Sequence, residues 1–387
     1  MIRKYLSSFT LAAALLLLGS SQTVLAQASE SVDPFKVGTF AVDNLPFVGM
    51  VVRDDSLIVD VAAANRAMQL MPRYSEISIP DDMLGFIEQY EYGLKYRVYE
   101  VMNWLVSENL LGNNRPDYIY PVSEVDILAP IQYPSKIMNA AGNFYTHACE
   151  GCTPQELAER TRERQESRGV PYLFLKPTRG VVIGDGDDII MPYGRNEIEF
   201  EVEMAIVFGK SGKYISASRA YDHVFGYMVA MDISDRGGRP PGGYGLQSDW
   251  FVSKGHDTFA PHGPWIVPKE FYGDPMERLH QITVIDGVTV QEAQAGDMIH
   301  NIPELIEYAS SLITVFPGDV LQSGTSGGTG AGRVERATGS GFLVDGETIE
   351  ASIEGIGTLR HRVRAEQSIP ADLSGSQLPP TRTYRDR

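Results

Sequence analysis

The chain is expected to be an α+β protein, mostly β, on three features of its sequence. From Ile137 onward, short runs rich in β-branched and aromatic residues are separated by Gly, Pro and Asp turns. The stretch from Lys36 to Val59 alternates apolar and polar residues around Asp54-Asp55, as two paired strands do. Helical periodicity is confined to a few segments, chiefly Met83 to Val106.

Taken in order, residues 1–26 begin with Arg3 and Lys4, continue through the apolar run Phe9 to Leu18 and end on Val24-Leu25-Ala26. This is the layout of a cleaved secretory signal. The run has half of the ~20 apolar residues a membrane span needs. An exported, periplasmic protein without stable membrane insertion is therefore expected. Residues 27–130 should form an N-terminal β and helical domain. In its long helix Phe86, Ile87, Tyr90, Leu94, Val98, Val101, Met102 and Leu105 share a face. Residues 131–366 should form a second, mostly β domain, with strands at Tyr172 to Lys176, Gly180 to Val182, Glu197 to Phe208, Val224 to Ile233 and Trp265 to Val267. Helices are expected at Pro154 to Ser167, opened by a Thr153–Glu156 capping box, and at Ile302 to Ile313. Residues 367–387 are polar and Pro-containing and should form a tail outside the core.

The formal charge is −17. Such an acidic chain has no clustered Lys and Arg with which to bind a polyanion, so nucleic acid is excluded as a partner. The informative acids are those clustered in Asn196-Glu-Ile-Glu-Phe-Glu-Val-Glu-Met204, where Glu197, Glu199, Glu201 and Glu203 fall on one side of a strand. Alternating Glu ordinarily marks a solvated face. Here the run continues into Ala205-Ile-Val-Phe-Gly209, a stretch suited to burial on both sides, so Glu201 and Glu203 approach the interior and need a cation or protons there. Asp232 ends a second apolar strand. Three such carboxylates suit Mg²⁺ or Mn²⁺, with Ca²⁺ a third candidate; a buried Asp bonded to main chain is the competing reading.

His147 and Glu150 are three apart, so on a helical turn the carboxylate can orient the imidazole as a general base; alone, such a pair more often marks a surface contact. Lys254 in Ser253-Lys-Gly-His-Asp-Thr258 can polarise a carbonyl, and Thr325 in Gly318-Asp-Val-Leu-Gln-Ser-Gly-Thr-Ser-Gly-Gly can donate to a substrate carboxylate. Either segment also reads as turn chemistry. The Gly-rich run lacks the Gly-Lys-Ser/Thr ending of a phosphate loop. Cys149 and Cys152 flank Glu150, and three-residue spacing permits a disulfide. In an exported chain such a bridge is expected, stiffening the turn that carries His147 and Glu150.

In their order along residues 137–363, these segments resemble the fumarylacetoacetate hydrolase family. The family's Asn-Tyr-x-x-His-x-x-Glu motif is matched by Asn143-Phe-Tyr-Thr-His147-Ala-Cys-Glu150, with Phe144 in the Tyr place. Its Glu-x-Glu metal strand resembles Glu201-Val-Glu203, and its third metal carboxylate resembles Asp232 with Arg236 following. Lys254 to Thr258 and Ser323 to Ser326 fit two further motifs, and Lys176 and Gln291 fall at similar positions. The resemblance implies a mixed β-roll core beside a smaller N-terminal β-containing domain, a divalent cation, a small oxo-carboxylate substrate and a homodimer. It implies substrate contacts from Asn143, Arg236 and Thr325. The reaction it favours is hydrolysis of a carbon–carbon bond in an acylpyruvate-like acid, with His147 activating water. Decarboxylation, hydration or dehydration, isomerisation and lyase chemistry share the same site, and a solute-binding protein without turnover is the alternative of another class.

Overall fold

The computed structural model describes residues 32–237, 249–332 and 339–367. The signal reading for 1–26, most of the loop after Arg236 and nearly all of the tail lie outside these residues. The fold is α+β, built on two large sheets. One has twelve strands: ten follow one another in the order Ile119–Pro121, Leu57–Asp60, Leu45–Val52, Lys36–Val42, Ala260–Pro268, Val224–Met231, Val202–Phe208, Val320–Gln322, Ile137–Ala140 and Leu173–Lys176, while Asp126–Ile127 pairs with Lys36–Val42 and Val182–Ile183 with Ala260–Pro268. The other has five: Val288–Gln294, His280–Ile285, Thr348–Ile353, Gly357–Ala365 and Ile189–Met191. Strands from the first hundred residues thus extend the same sheet that carries Val202–Phe208 and Val224–Met231.

The apolar run after Glu203 is explained by two cores. Met204, Ile206 and Phe208 enter the cluster between the two sheets, whereas Ala205 and Val207 enter a second cluster under the N-terminal helices. Because strand side chains alternate, a strand covered on both faces has no polar side. Each large apolar side chain buried this way contributes about 1.5–3 kcal/mol.

Three expectations are revised. The Lys36 to Val59 region holds three strands, not two, since Asp43 and Asn44 both adopt positive φ and make a tight turn between Lys36–Val42 and Leu45–Val52. The long helix is broken into Met83–Gln89 and Lys95–Ser107 by a π turn at Tyr90–Leu94, where Gly93 takes φ 129°. The strand expected over Glu197 to Phe208 is two strands, Ile198–Glu199 and Val202–Phe208, because Ile198–Glu199 leaves the large sheet to pair with Ser234–Asp235. The helix Pro154–Glu166 and its Thr153–Glu156 capping box form as expected.

Candidate metal centre and proton-transfer pair

Strand register brings the carboxylates together. Val202 pairs with Met231 in the antiparallel couple, so Glu201, just before one strand, meets Asp232, just after the other; the Asp232 N–H donates to the Glu201 carbonyl at 2.9 Å. Glu203, two residues on, projects to the same side as Glu201. Carboxylate oxygens of Glu201, Glu203 and Asp232 lie within 4.8 Å of one another, and all three residues are buried.

Around them stand three buried or half-buried cations. Lys254 ends the short helix Trp250–Lys254, and its ammonium donates to Glu201 Oε2 at 3.0 Å, to Asp232 Oδ2 at 2.6 Å and to Ser234 Oγ. All three of its hydrogens are thereby committed to framing the carboxylates. Lys176 donates to the other Asp232 oxygen and to the carbonyls of Ile233 and Phe259. Arg236 bridges Glu199 and Glu201. Glu199 is also fully buried, which among the described residues makes four carboxylates against three cationic side chains.

The electrostatics follow from that imbalance. Burial alone would raise the Glu201 carboxyl, but Lys254 and Arg236 outweigh it and hold it below the usual range. Glu203 is the least compensated. Burial first, then the charges of Asp232 and Glu201, push its carboxyl well above the usual range, although the Gly324 N–H donates to it at 2.7 Å. Three hard oxygen donors with one of them short of positive charge fit a divalent cation, and each carboxylate has lone pairs left beyond those its lysine and arginine partners occupy.

Beside this cluster, the turn His147–Cys149 places His147 Nδ1 3.1 Å from Glu150 Oε1. Burial disfavours the protonated ring, but the hydrogen bond to Glu150 and the charges of Glu201, Glu150 and Glu199 prevail and hold its pKa above the ordinary value. The Gly-rich turn seats this segment: the Gly327 N–H donates to Thr146 Oγ1 at 2.9 Å, and Thr329 Oγ1 donates to Glu150 Oε1 at 3.2 Å. Cys149 and Cys152 are joined by a disulfide, with Cα atoms 5.5 Å apart.

Asn143 and Thr325, expected beside substrate, are turned to the framework. The Asn143 amide donates to the carbonyls of His300 and Ser323 and accepts from the His300 N–H. The Thr325 hydroxyl donates to the Val202 carbonyl and accepts from Gln291. Arg236 lies at the carboxylates. Sequence reasoning left Glu199 out of the buried set, although the alternation that selected Glu201 and Glu203 includes it. It also gave no role to Ser234, since an isolated serine carries no signal.

A roll of two sheets that converges buried carboxylates on a His–Glu pair belongs to the metal-dependent enzymes of small oxo acids. The chain belongs to the fumarylacetoacetate hydrolase family: residues 136–364 match the model described as fumarylacetoacetate (FAA) hydrolase C-terminal. It is similar to the oxaloacetate tautomerase YisK of Bacillus subtilis (strain 168), 32% identical over 333 residues, covering 85% of this chain and 99% of the relative. It is also similar to the mitochondrial oxaloacetate tautomerase FAHD2A of Bos taurus, 32% identical over 291 residues, covering 74% of this chain and 81% of the relative. Among solved structures, the maleylpyruvate hydrolase from Sphingobium sp. SYK-6 in complex with manganese(II) ion and pyruvate is similar over 86% of this chain and all of that one, at 25% identity and TM-score 0.62. Family membership therefore spans tautomerases, hydrolases and isomerases.

The expected export and periplasmic location are corrected by relatives such as FAHD2A of Bos taurus and FAHD2B of Homo sapiens, both mitochondrial proteins. That expectation rested on a short basic-then-apolar opening, a compositional signal carried by few residues. No helix among the described residues is long and apolar enough to cross a membrane.

Proposed function

We propose that this protein catalyses proton transfer at the carbon beside the carbonyl of a small 2-oxo-dicarboxylic acid, interconverting keto and enol forms as an oxaloacetate tautomerase does. The observation that carries the reading is the His147–Glu150 pair set beside the buried carboxylates of Glu201, Glu203 and Asp232. The similarity to YisK over 99% of that tautomerase supports it. Glu201, Glu203 and Asp232 would hold Mg²⁺ or Mn²⁺; a divalent cation there supplies an electrophile for the oxygens of a 2-oxo acid.

The remaining work falls to the chain's own groups. Glu150 holds His147 Nδ1, which leaves Nε2 as the atom that takes the proton from carbon. The imidazolium so formed lies in the field of Glu201, Glu150 and Glu199, which stabilises it until the proton returns. Lys254 keeps Glu201 ionised and holds Asp232 in place, and Lys176 fixes the other side of Asp232.

A second reading is hydrolysis of a carbon–carbon bond in an acylpyruvate-like acid, in which His147 takes its proton from water instead. The likeness to the maleylpyruvate hydrolase structure favours it. Purified protein supplied with Mg²⁺ or Mn²⁺ is given enol oxaloacetate and, separately, acylpyruvates, and loss of enol absorbance is followed with product mass. Tautomerisation leaves the mass unchanged, hydrolysis adds water and splits the substrate, and decarboxylation loses carbon dioxide. Loss of absorbance with no change of mass for oxaloacetate upholds the first reading; cleaved acylpyruvate with oxaloacetate untouched replaces it with the second. Light scattering of the same sample tests the homodimer implied by family resemblance.

A further inference from the structure

The disulfide lies across the proton-transfer pair. Cys149 and Cys152 enclose Glu150 and Gly151, and the Cys152 N–H closes the turn on the Cys149 carbonyl at 3.0 Å. Gly151 takes φ 72°, the left-handed conformation that lets so tight a loop close. Outside this turn, among the described residues, the Glu150 carboxylate is held by long contacts from the Gly328 N–H and the Thr329 N–H, both 3.4 Å, and from the Thr329 hydroxyl at 3.2 Å. Bonds of that length are weak, so the covalent closure is the firmest constraint on where Glu150 points.

The bridge is also reachable and chemically disposed to open. Cys149 is buried from bulk solvent but lines a cavity of about 330 Å³ together with Tyr145, Ala148, Arg160 and Arg164, and Cys152 is half-buried. Cys152 directly precedes Thr153, the N-cap of the helix Pro154–Glu166. A thiolate next to a helix N-terminus is stabilised, which makes Cys152 the better leaving group.

We propose that Cys149 and Cys152 are positioning residues whose bridge holds Glu150 on His147, so that a small thiol opening it slows proton transfer. The proposal rests on the reading of His147 as the proton-transfer base. In the step, the thiolate of the small thiol attacks Cys149 Sγ, the sulfur–sulfur bond breaks, and its electron pair leaves on Cys152 Sγ. A second molecule of the thiol then displaces the first as its own disulfide. Two small thiols are oxidised, the protein disulfide is reduced to two thiols, and the two hydrogens end on Cys149 and Cys152. Glu150 is then free to leave the ring, and His147 loses both its orienting partner and a nearby charge.

The test uses the full chain loaded with Mg²⁺ or Mn²⁺, treated with reduced glutathione until alkylation and mass spectrometry show two free thiols. The expected result is a fall in kcat of about 10- to 100-fold, part of the ~10²–10⁴ that general acid–base catalysis supplies. KM should stay within about twofold, and metal content should not change. The His147 ring, followed by NMR with labelled histidine, should titrate at lower pH after reduction, an effect that loosening elsewhere in the fold does not produce. Reoxidation should restore both values, and the Cys149→Ser/Cys152→Ser double variant should behave as reduced enzyme and ignore glutathione. Fully reduced protein with unchanged kcat and unchanged His147 titration overturns the proposal. A His147→Ala variant at wild-type rate overturns instead the reading of His147 as the base, and the titration then decides the role of the bridge on its own.

Discussion

Glu203 shows most clearly how one side chain reports on the site. It is buried at 1% exposure, it lies beside two other carboxylates, and among the described residues only the Gly324 N–H donates to it. Glu203→Gln keeps the shape and removes the charge that a cation would answer. It should abolish retention of Mn²⁺ through gel filtration, read by elemental analysis, with the circular dichroism spectrum unchanged; undiminished metal content would remove Glu203 from the ligand set. His147→Ala should leave metal content intact and lower kcat by roughly 10²–10⁴. Since His147 must be neutral to accept a proton and its pKa is held above the ordinary 6.5, the rate should fall as pH drops through that raised value. Glu150→Gln removes a charge and weakens a hydrogen bond that favour the protonated ring, so the acidic limb should move to lower pH while the maximal rate declines. A limb that stays in place would assign it to another group.

At the scale of elements, the couple Val202–Phe208 with Val224–Met231 does most to build the site, because its register sets Glu201 against Asp232. That couple also depends on a close approach. A Cβ added to Gly226 would stand 2.3 Å from the Val267 carbonyl of the neighbouring strand. Gly226→Ala should therefore destabilise the protein by about 1–3 kcal/mol, the usual scale of overpacking, read as a lower denaturant midpoint. Thr153→Ala removes one half of a capping box on an exposed helix and should cost about 0.5–2 kcal/mol of local stability, visible as faster hydrogen exchange over the helix Pro154–Glu166. The two helices flanking Tyr90–Leu94 illustrate a limit of pattern reading. Their apolar period continues through the break, and only Gly93 hints at it, since a glycine inside a helical pattern is compatible with an unbroken helix.

For the molecule as a whole, the site is a charge problem solved by the fold. Among the described residues, four buried carboxylates face Lys176, Lys254 and Arg236, and Glu203 is the carboxylate that none of these three cations bonds. A ligand that binds only the folded state stabilises it by mass action, about 2.7 kcal/mol at a hundredfold excess over Kd. Adding Mn²⁺ should accordingly raise Tm in the wild type, and chelation should reverse the rise. The Glu203→Gln variant should show neither effect. A Tm indifferent to Mn²⁺ in the wild type would argue that the lysines and the arginine alone neutralise the cluster.

Much of this is legible in the sequence. Alternation along residues 197–204 pointed to Glu201 and Glu203, the apolar run after them pointed inward, and the capping box at Thr153 marked a helix start, because each is a local pattern with a local cause. The family could be read the same way, from motifs kept in order along the chain. What local pattern could not supply was partnership across long separations. That Lys176 and Lys254 take opposite oxygens of Asp232, that Glu199 is drawn in by Arg236, that Asn143 spends its amide on main chain and that Thr325 spends its hydroxyl on Val202 and Gln291 are consequences of strand register and of the seat offered by the Gly-rich turn. Residues so far apart meet only when the sheets close, and the direction of a buried polar group is settled by whichever partner the packed interior leaves within reach.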